Sequence, residues 1–289
     1  MFNIIIGALH VVNGDAFARW NSQSQQKIAL NSGGFTGALV YQDYFGASVT
    51  NIGDLDGDGI SEIAVGSHYD DDAGFNNGAV YIIFLDSDGL SKSHQKISET
   101  SGGLTADLGT TVTLGIGSGI LNDLDSNGVL DLAVGAPLDS DGGTNAGAVY
   151  VLFLQTNGEV ASHQKISHLK GDFTADLAQE DRFGSDFAHL GDYNGDGIAG
   201  DVAISAPFSE GVLGAVYMCF LTTAGTVISF QKISSTSGGF TGVLEAEDRL
   251  GYGLSVLDLN GDGQLELAAG GYKDGDSVST SSLHICIYI

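Results

Sequence analysis

Two kinds of apolar segment recur along the chain. The first is a run that is apolar at consecutive positions, Ala79-Val-Tyr-Ile-Ile-Phe-Leu85. A strand of that composition is buried on both faces. The second is shorter and β-like, Ile63-Ala-Val65 and Leu132-Ala-Val134. Between them lie polar stretches rich in Gly, Asp and Asn, and no segment sustains a 3.6-residue period, so the pattern predicts almost no helix. Each period reads as four strands. An inner strand begins at a Phe-Gly pair, as in Phe45-Gly-Ala-Ser-Val-Thr-Asn-Ile52. An acidic loop leads to a second strand, Glu62-Ile-Ala-Val-Gly66. A polar loop from His68 to Asn77 leads to the third, Ala79–Leu85, and a tight turn at Asp86-Ser-Asp-Gly89 leads to an outer strand around His94-Gln-Lys-Ile97.

The same order returns at a fixed spacing. The first aspartate of the acidic loop falls at 54, 123, 192 and 258, and the lysine of Gln-Lys-Ile at 27, 96, 165 and 232. Phe35-Thr, Leu104-Thr, Phe173-Thr and Phe240-Thr keep step, as does Gly-Ala-Val-Tyr at 78–81, 147–150 and 214–217, echoed by Gly7-Ala-Leu-His10 and Ser281-Ser-Leu-His284. A period near 69 residues means a repeat architecture. The units are 31–99, 100–168, 169–235 and 236–289, preceded by a divergent partial blade at 1–30. Sheets buried on both faces and repeated in series describe an all-β propeller of four-stranded antiparallel blades. Two closures stay open: about four blades forming an arc of a larger wheel, or a small ring in which Gln26-Lys-Ile-Ala-Leu30 supplies the outer strand missing after Leu283–Ile289. Residues 4–12 duplicate a third strand that the last unit already has, which favours the arc.

The acidic loops carry the candidate chemistry. In Asp54-Leu-Asp56-Gly-Asp58-Gly59-Ile60-Ser-Glu62, three aspartates alternate and an acid closes the set. Carboxylates bunched this closely repel, and an oxygen-only donor set suits a hard cation such as Ca²⁺. The expected ligands are Asp54, Asp56, Asp58, the Ile60 carbonyl and Glu62, with Gly59 allowing the sharp turn. The second loop offers Asp123, Asp125, Asn127, Val129 and Asp131. The third offers Asp192, Asn194, Asp196, Ile198 and Asp201, and the fourth Asp258, Asn260, Asp262, Gln264 and Glu266. The third departs from the pattern, its closing acid one residue late after Gly200. None is an EF-hand, because the twelfth positions are Val65, Val134, Ala203 and Ala269 where that motif needs glutamate.

Charge narrows the partners. The chain has 289 residues and a formal charge of -26, and the loops hold thirteen of its 36 acids. Four bound Ca²⁺ would move the charge from -26 to -18. The remainder argues against nucleic acid and anionic membrane surfaces. Apolar content of 43% is enough for a core. Cys219 and Cys286 sit at equivalent repeat positions, which rarely come close enough to bridge, so two buried thiols are expected. No transmembrane segment or signal peptide is evident. The run Gly115-Ile-Gly117-Ser-Gly119 reads as an inner strand crowded by neighbours, since no helix follows. His94 and His163 read as structural, and Trp20 as packing.

Phe45-Gly46, the loop Asp54–Glu62 and Gly135-Ala136-Pro137 together resemble the FG-GAP repeat, the blade unit of integrin alpha-subunit propellers. Ser205-Ala-Pro207 is a near match, whereas His68 and Gly271-Tyr272 depart from it. The resemblance implies a bladed propeller with Ca²⁺ between first and second strands, no enzymatic activity, and an extracellular or cell-surface role in adhesion or recognition of a protein or glycan. Integrin-type propellers resemble seven-bladed wheels, so further blades or domains of a longer chain are implied partners. The alternatives are an accessory or catalytic propeller of a polysaccharide-acting protein and an architectural part of a surface assembly. The loops between second and third strands hold Asp70-Asp-Asp72, Asp139, Asp141 and Glu210, expected as a solvated acidic rim or, with the connecting loops (Phe35–Asp43, Phe173–Asp181, Phe240–Asp248), as a recognition face.

Overall fold

The computed structural model describes residues 9–13, 24–72, 74–272 and 285–288. Strands β1 (Leu9–Asn13) and β2 (Ser24–Ile28) pair with each other as a two-stranded sheet. Three four-stranded antiparallel sheets follow. They are β3 (Phe45–Asn51), β4 (Ile63–Ser67), β5 (Ala79–Leu85) and β6 (Ser91–Ile97); β7 (Ser118–Ile120), β8 (Leu132–Ala136), β9 (Ala148–Leu154) and β10 (Val160–Ser167); and β11 (Phe187–Gly191), β12 (Asp201–Ala206), β13 (Ala215–Leu221) and β14 (Val227–Ser234). A three-stranded sheet closes the described chain, with β15 (Gly253–Leu257), β16 (Glu266–Gly270) and β17 (Ile285–Tyr288). Every sheet is a meander in sequence order, as the repeat predicts, and the chain is an all-β propeller-type fold. The Gln26-Lys-Ile28 segment pairs with β1 in the register His10↔Lys27. The single helical element among the described residues, α1 (Ser209–Val212), is four residues long, and Glu210 and Gly211 inside it have φ of 53° and 72°.

The core lies between the blades. All seven residues of β5 are buried. Its alternate side chains go to different neighbours: Tyr81, Ile83 and Leu85 join Ile28, Phe35 and Phe45, while Val80, Ile82 and Phe84 join Leu104, Leu114, Tyr150 and Leu152 of the next unit. Strand β9 repeats the division, with Tyr150, Leu152 and Leu154 facing back and Val149, Val151 and Phe153 facing forward to Phe173, Phe183 and Tyr217. Successive residues of a strand point to opposite faces. A strand that is apolar throughout therefore needs a sheet packed on each side.

Connectors carry an aromatic or leucine plug forward. Phe35 lies 5.0 Å from the Phe45 ring and 5.5 Å from the Tyr81 ring of the blade it enters, and the Phe-Thr marker thus records a packing position. The same connector is pinned by Ser91 N–H, which donates to Gly33 O at 2.8 Å; Val160 and Val227 repeat this toward Gly102 and Gly171, each at 2.9 Å. Parallel bridges join Gly78 to Leu114, Gly147 to Phe183 and Gly214 to Leu250, tying the start of each third strand to the Phe-Gly pair of the next blade.

Inner strands meet across blades. Thr50 Oγ1 donates to Ser118 O at 2.9 Å and Ser48 Oγ to Gly115 O at 3.0 Å. The Gly-rich run is a turn that enters inner strand β7 only at Ser118, and it is under steric pressure: a Cβ on Gly117 would lie 2.5 Å from Ser185 O, and one on Gly119 would lie 2.7 Å from the Phe187 Cβ. The closest approaches are at Gly66 and Gly135, where a Cβ would meet Gly115 O and Gly184 O, each at 1.8 Å. Gly135→Ala is expected to lower stability by about 3 kcal/mol, because the opposing backbone of the next blade cannot retreat without opening the interface. Gly253→Ala meets nothing within 4 Å and should change stability by less than about 0.5 kcal/mol. Urea midpoints of the two variants check this pair.

Candidate metal centres

Each acidic loop joins the first strand of its blade to the second, so the loops share one end of the sheets. In the first, the carboxylate of Asp54 collects backbone amides: its Oδ1 accepts from Gly57 and Asp58 at 2.8 and 3.0 Å, and its Oδ2 accepts from Gly59 at 2.8 Å. Asp58 Oδ1 accepts from Ile60 N–H at 2.9 Å. The fourth loop repeats these bonds, with Asp258 accepting from Gly261 and Gly263 at 2.7 and 3.0 Å and Asp262 accepting from Gln264 at 2.8 Å. Amide donors explain why the alternating acids curl inward, and why Asn127, Asn194 and Asn260 serve at their positions: each retains an acceptor oxygen toward Val129, Asp196 and Asp262.

The closing acid does a different job. Glu62, Asp131, Asp201 and Glu266 are buried, at 0%, 0%, 0% and 2% exposure. Each accepts an amide from the loop start: Leu55 to Glu62 at 2.7 Å, Leu124 to Asp131 at 2.8 Å, Tyr193 to Asp201 at 2.9 Å and Leu259 to Glu266 at 2.6 Å. Burial pushes the carboxyls of Glu62 and Asp201 above the ordinary range and that of Asp131 up to about 7. The extra residue at Gly200 leaves Asp201 in the same buried place.

Buried carboxyls with spare oxygens fit a cation. Glu62 Oε1 and Asp201 Oδ1 are buried with no hydrogen-bond partner, the Leu85 and Leu221 amides lying near them with geometry short of a bond. Ligand oxygens converge within 4.8 Å of one another in Asp54/Asp56/Asp58, in Asp123/Asp125/Asp131 and in Asp258/Asp262/Glu266. Among the described residues, the third loop does not gather three acids in this way. The donor set is oxygen throughout, and it suits Ca²⁺ better than a softer ion. Lys92 was not legible as part of this site. Its ammonium pairs with Asp56 at 2.7 Å and also with Asp58, holding the Asp58 carboxyl below its usual value.

The loops at the opposite end differ from the sequence expectation. Asp70 and Asp139 are not a solvated rim; each is 3% exposed. Lys96 pairs with Asp70 at 2.7 Å and Asp72 at 2.8 Å, and Lys165 with Asp139 at 2.9 Å and Asp141 at 3.4 Å. Tyr81 and Tyr150 donate to the same aspartates at 3.4 and 3.3 Å. In the third blade Glu210 alone takes this role, pairing with Lys232 at 2.9 Å and accepting from Ser234 and Ser235 at 2.7 Å; these donors hold its carboxyl down at about 2. The registers Tyr81↔Lys96, Tyr150↔Lys165 and Tyr217↔Lys232 set each ammonium 5.7 Å from a tyrosine ring. The Gln-Lys-Ile and Gly-Ala-Val-Tyr markers are thus two halves of one buried lock. The acids were read as rim because their lysine lies some 26 residues away in sequence.

His94 packs 4.8 Å from Phe35 and is structural, as expected. Cys219 is a buried free thiol. Trp20 and the side chain of Cys286 lie outside the described residues. His68 stands where the second and third blades have proline, 4.4 Å from Tyr69 and 5.4 Å from Tyr44, and its Nδ1 is buried without a partner. Burial lowers its pKa from 6.5 to about 4.

Lys165→Met strands the Asp139 carboxylate and is expected to cost about 3 kcal/mol in urea unfolding, with Asp139→Leu added on top restoring part of the loss. The unfolded chain protonates His68 at pH values where the native state keeps it neutral. Stability linked to His68 therefore falls as pH drops from 6.5 toward 4, by about 2 kcal/mol after allowance for partial exposure. His68→Gln should flatten the stability curve over that window by the same amount, read as the difference between the two proteins.

Comparison with known proteins agrees with this geometry. The FG-GAP repeat family matches residues 45–83 and 115–152, the first three strands of two blades with their acidic loops. Integrin alpha-4 of Xenopus laevis is 32% identical over 158 residues, covering 54% of this chain and 14% of that protein. Integrin alpha-11 of Homo sapiens is 35% identical over 153 residues, covering 51% and 12%. Phosphatidylinositol-glycan-specific phospholipase D of Bos taurus is 27% identical over 234 residues, covering 78% and 26%. The chain spans about a quarter or less of the length of these relatives. It carries FG-GAP repeats and is a β-propeller-type protein similar to integrin alpha subunits.

Proposed function

We propose that this chain is a calcium-stabilised propeller module for extracellular adhesion or ligand recognition, without catalytic activity of its own. The observation that carries this reading is the set of buried closing acids, two of them with an orphaned oxygen, set beside inward-curled aspartates at one end of every blade. Asp54, Asp56, Asp58, the Ile60 carbonyl and Glu62 would hold the first ion, and the equivalent groups of the other loops the rest. A bound calcium ion supplies positive charge that keeps these carboxylates ionised. The side chains fix the turn between first and second strands, which orients each blade against its neighbour. The opposite end of the sheets is then free to meet a partner. The similarity to integrin alpha subunits supports recognition of a protein or glycan at a cell surface, with further blades or domains of a longer chain beside this one.

A second reading is favoured by the match to phospholipase D, which extends over 78% of this chain. In it the propeller is an accessory part of a hydrolase acting on a glycan-bearing substrate, and recognition by this chain serves catalysis elsewhere.

Because an ion bound only by the folded state stabilises it by mass action, each site at a hundredfold excess over its dissociation constant adds about 2.7 kcal/mol. Millimolar calcium is expected to raise the melting temperature sharply, and Glu62→Gln combined with Asp131→Asn to remove much of that rise. A melting curve unmoved by exhaustive chelation contradicts the reading.

A further inference from the structure

A cavity of about 520 Å³ opens at the ends of the sheets away from the acidic loops. All four larger blades line it, with Tyr69, Leu138, Arg182, Phe208, Arg249 and Tyr252 among the contributors. Its size falls in the range of small-ligand pockets.

Its charge is opposite to that of the protein. The chain carries -26 overall and has three arginines, of which two line this one cavity. Both guanidinium groups lie against the same ring, 4.0 Å (Arg182) and 4.6 Å (Arg249) from the Phe208 centroid, and Arg249 is also 5.1 Å from Tyr272. The Nε of each is buried without a hydrogen-bond partner. Arg182 reaches Glu180 only at 3.9 Å. Lys96, Lys165 and Lys232, by contrast, sit in close pairs with acids of their own blades. Asp186, the acid in the lining, already accepts Leu254 N–H at 2.7 Å and so links two inner strands. Contact with the ring restrains both guanidinium groups, and a planar fork matches a carboxylate through paired N–H donors.

The rest of the lining points to a sugar as the carrier of that carboxylate. Tyr69 and Tyr252 line the cavity with rings on which the C–H side of a pyranose can pack. Ser185 in the lining donates its hydroxyl proton to Arg182 O at 2.7 Å, which leaves its oxygen lone pairs to accept from a ligand hydroxyl. We propose that this cavity binds an acidic sugar, its carboxylate held by Arg182 and Arg249 and its ring packed on the surrounding aromatics. This rests on the recognition role above and names the ligand class for it.

The test is titration of calcium-loaded protein with methyl glucuronide by ligand-observed NMR and calorimetry, beside its methyl ester, inorganic phosphate and a glutamate-rich peptide. Saturable binding of the glucuronide is expected, with the ester at least about tenfold weaker because its neutral group loses the charge-assisted bonds. Arg182→Gln and Arg249→Gln should each weaken the glucuronide about tenfold while calcium-dependent melting stays as in the parent, and Arg249→Lys should weaken it less than Arg249→Gln. Equal binding of ester and acid, indifference to both arginine substitutions, preference for phosphate or the peptide, or no glucuronide binding overturns the assignment. If the glucuronide fails while calcium still stabilises the fold, the sugar assignment alone falls; if calcium has no effect on melting, the module reading falls with it.

Discussion

The structure depends on a strand that has no solvent side. The third strands β5, β9 and β13 are buried on both faces because alternate residues pack on the preceding and the following blade. No blade can satisfy its own apolar surface. Hydrophobic area removed from water is the main favourable term in folding, and here most of it is shared across blade boundaries. Stability is then a nearest-neighbour property, as in other repeat proteins.

Close packing on both faces sets demands on the backbone. The second strand must approach the Phe-Gly corner of the next blade so nearly that Gly66 and Gly135 have no room for a Cβ. Ser205 holds the same place in the third blade, and there its hydroxyl accepts from Asp186 N–H at 2.8 Å. The glycine abundance that looks like turn propensity in the composition is partly an interface requirement. Phe35, Leu104 and Phe173 complete the arrangement by plugging each blade from the connector that enters it.

The two ends of the sheets use charge in opposite ways. At one end, acids are crowded, and Lys92 is the cation that the described residues show paired with them. At the other, a lysine laid along a tyrosine ring pairs with the acids of the first three blades, and Arg182 and Arg249 gather at the cavity. Burying an unpaired ion is costly, so the lysine lock fixes the loop between second and third strands to the outer strand. It also leaves the axial cavity as a local cationic exception on an acidic protein.

Periodicity alone determined much of this. The spacing of Gln-Lys-Ile, Gly-Ala-Val-Tyr and the acidic loops marks the blades, and the uninterrupted apolar run at Ala79–Leu85 marks the strand that must be sandwiched, because strand geometry sends neighbouring residues to opposite faces. The loops were legible as oxygen-rich turns because their donors lie within nine residues of one another. Three things were decided only by tertiary structure. Asp70 and Asp139 became lock rather than rim because register brings a lysine from a distant strand against them. His68 became a half-buried imidazole with its Nδ1 unpartnered because Tyr44 and Tyr69 pack against it. Arg182 and Arg249 came to share one ring because two corners of successive blades meet at the axis. Sequence records contacts that are local; contacts between segments far apart in the chain exist only after the strands have paired and the blades have stacked.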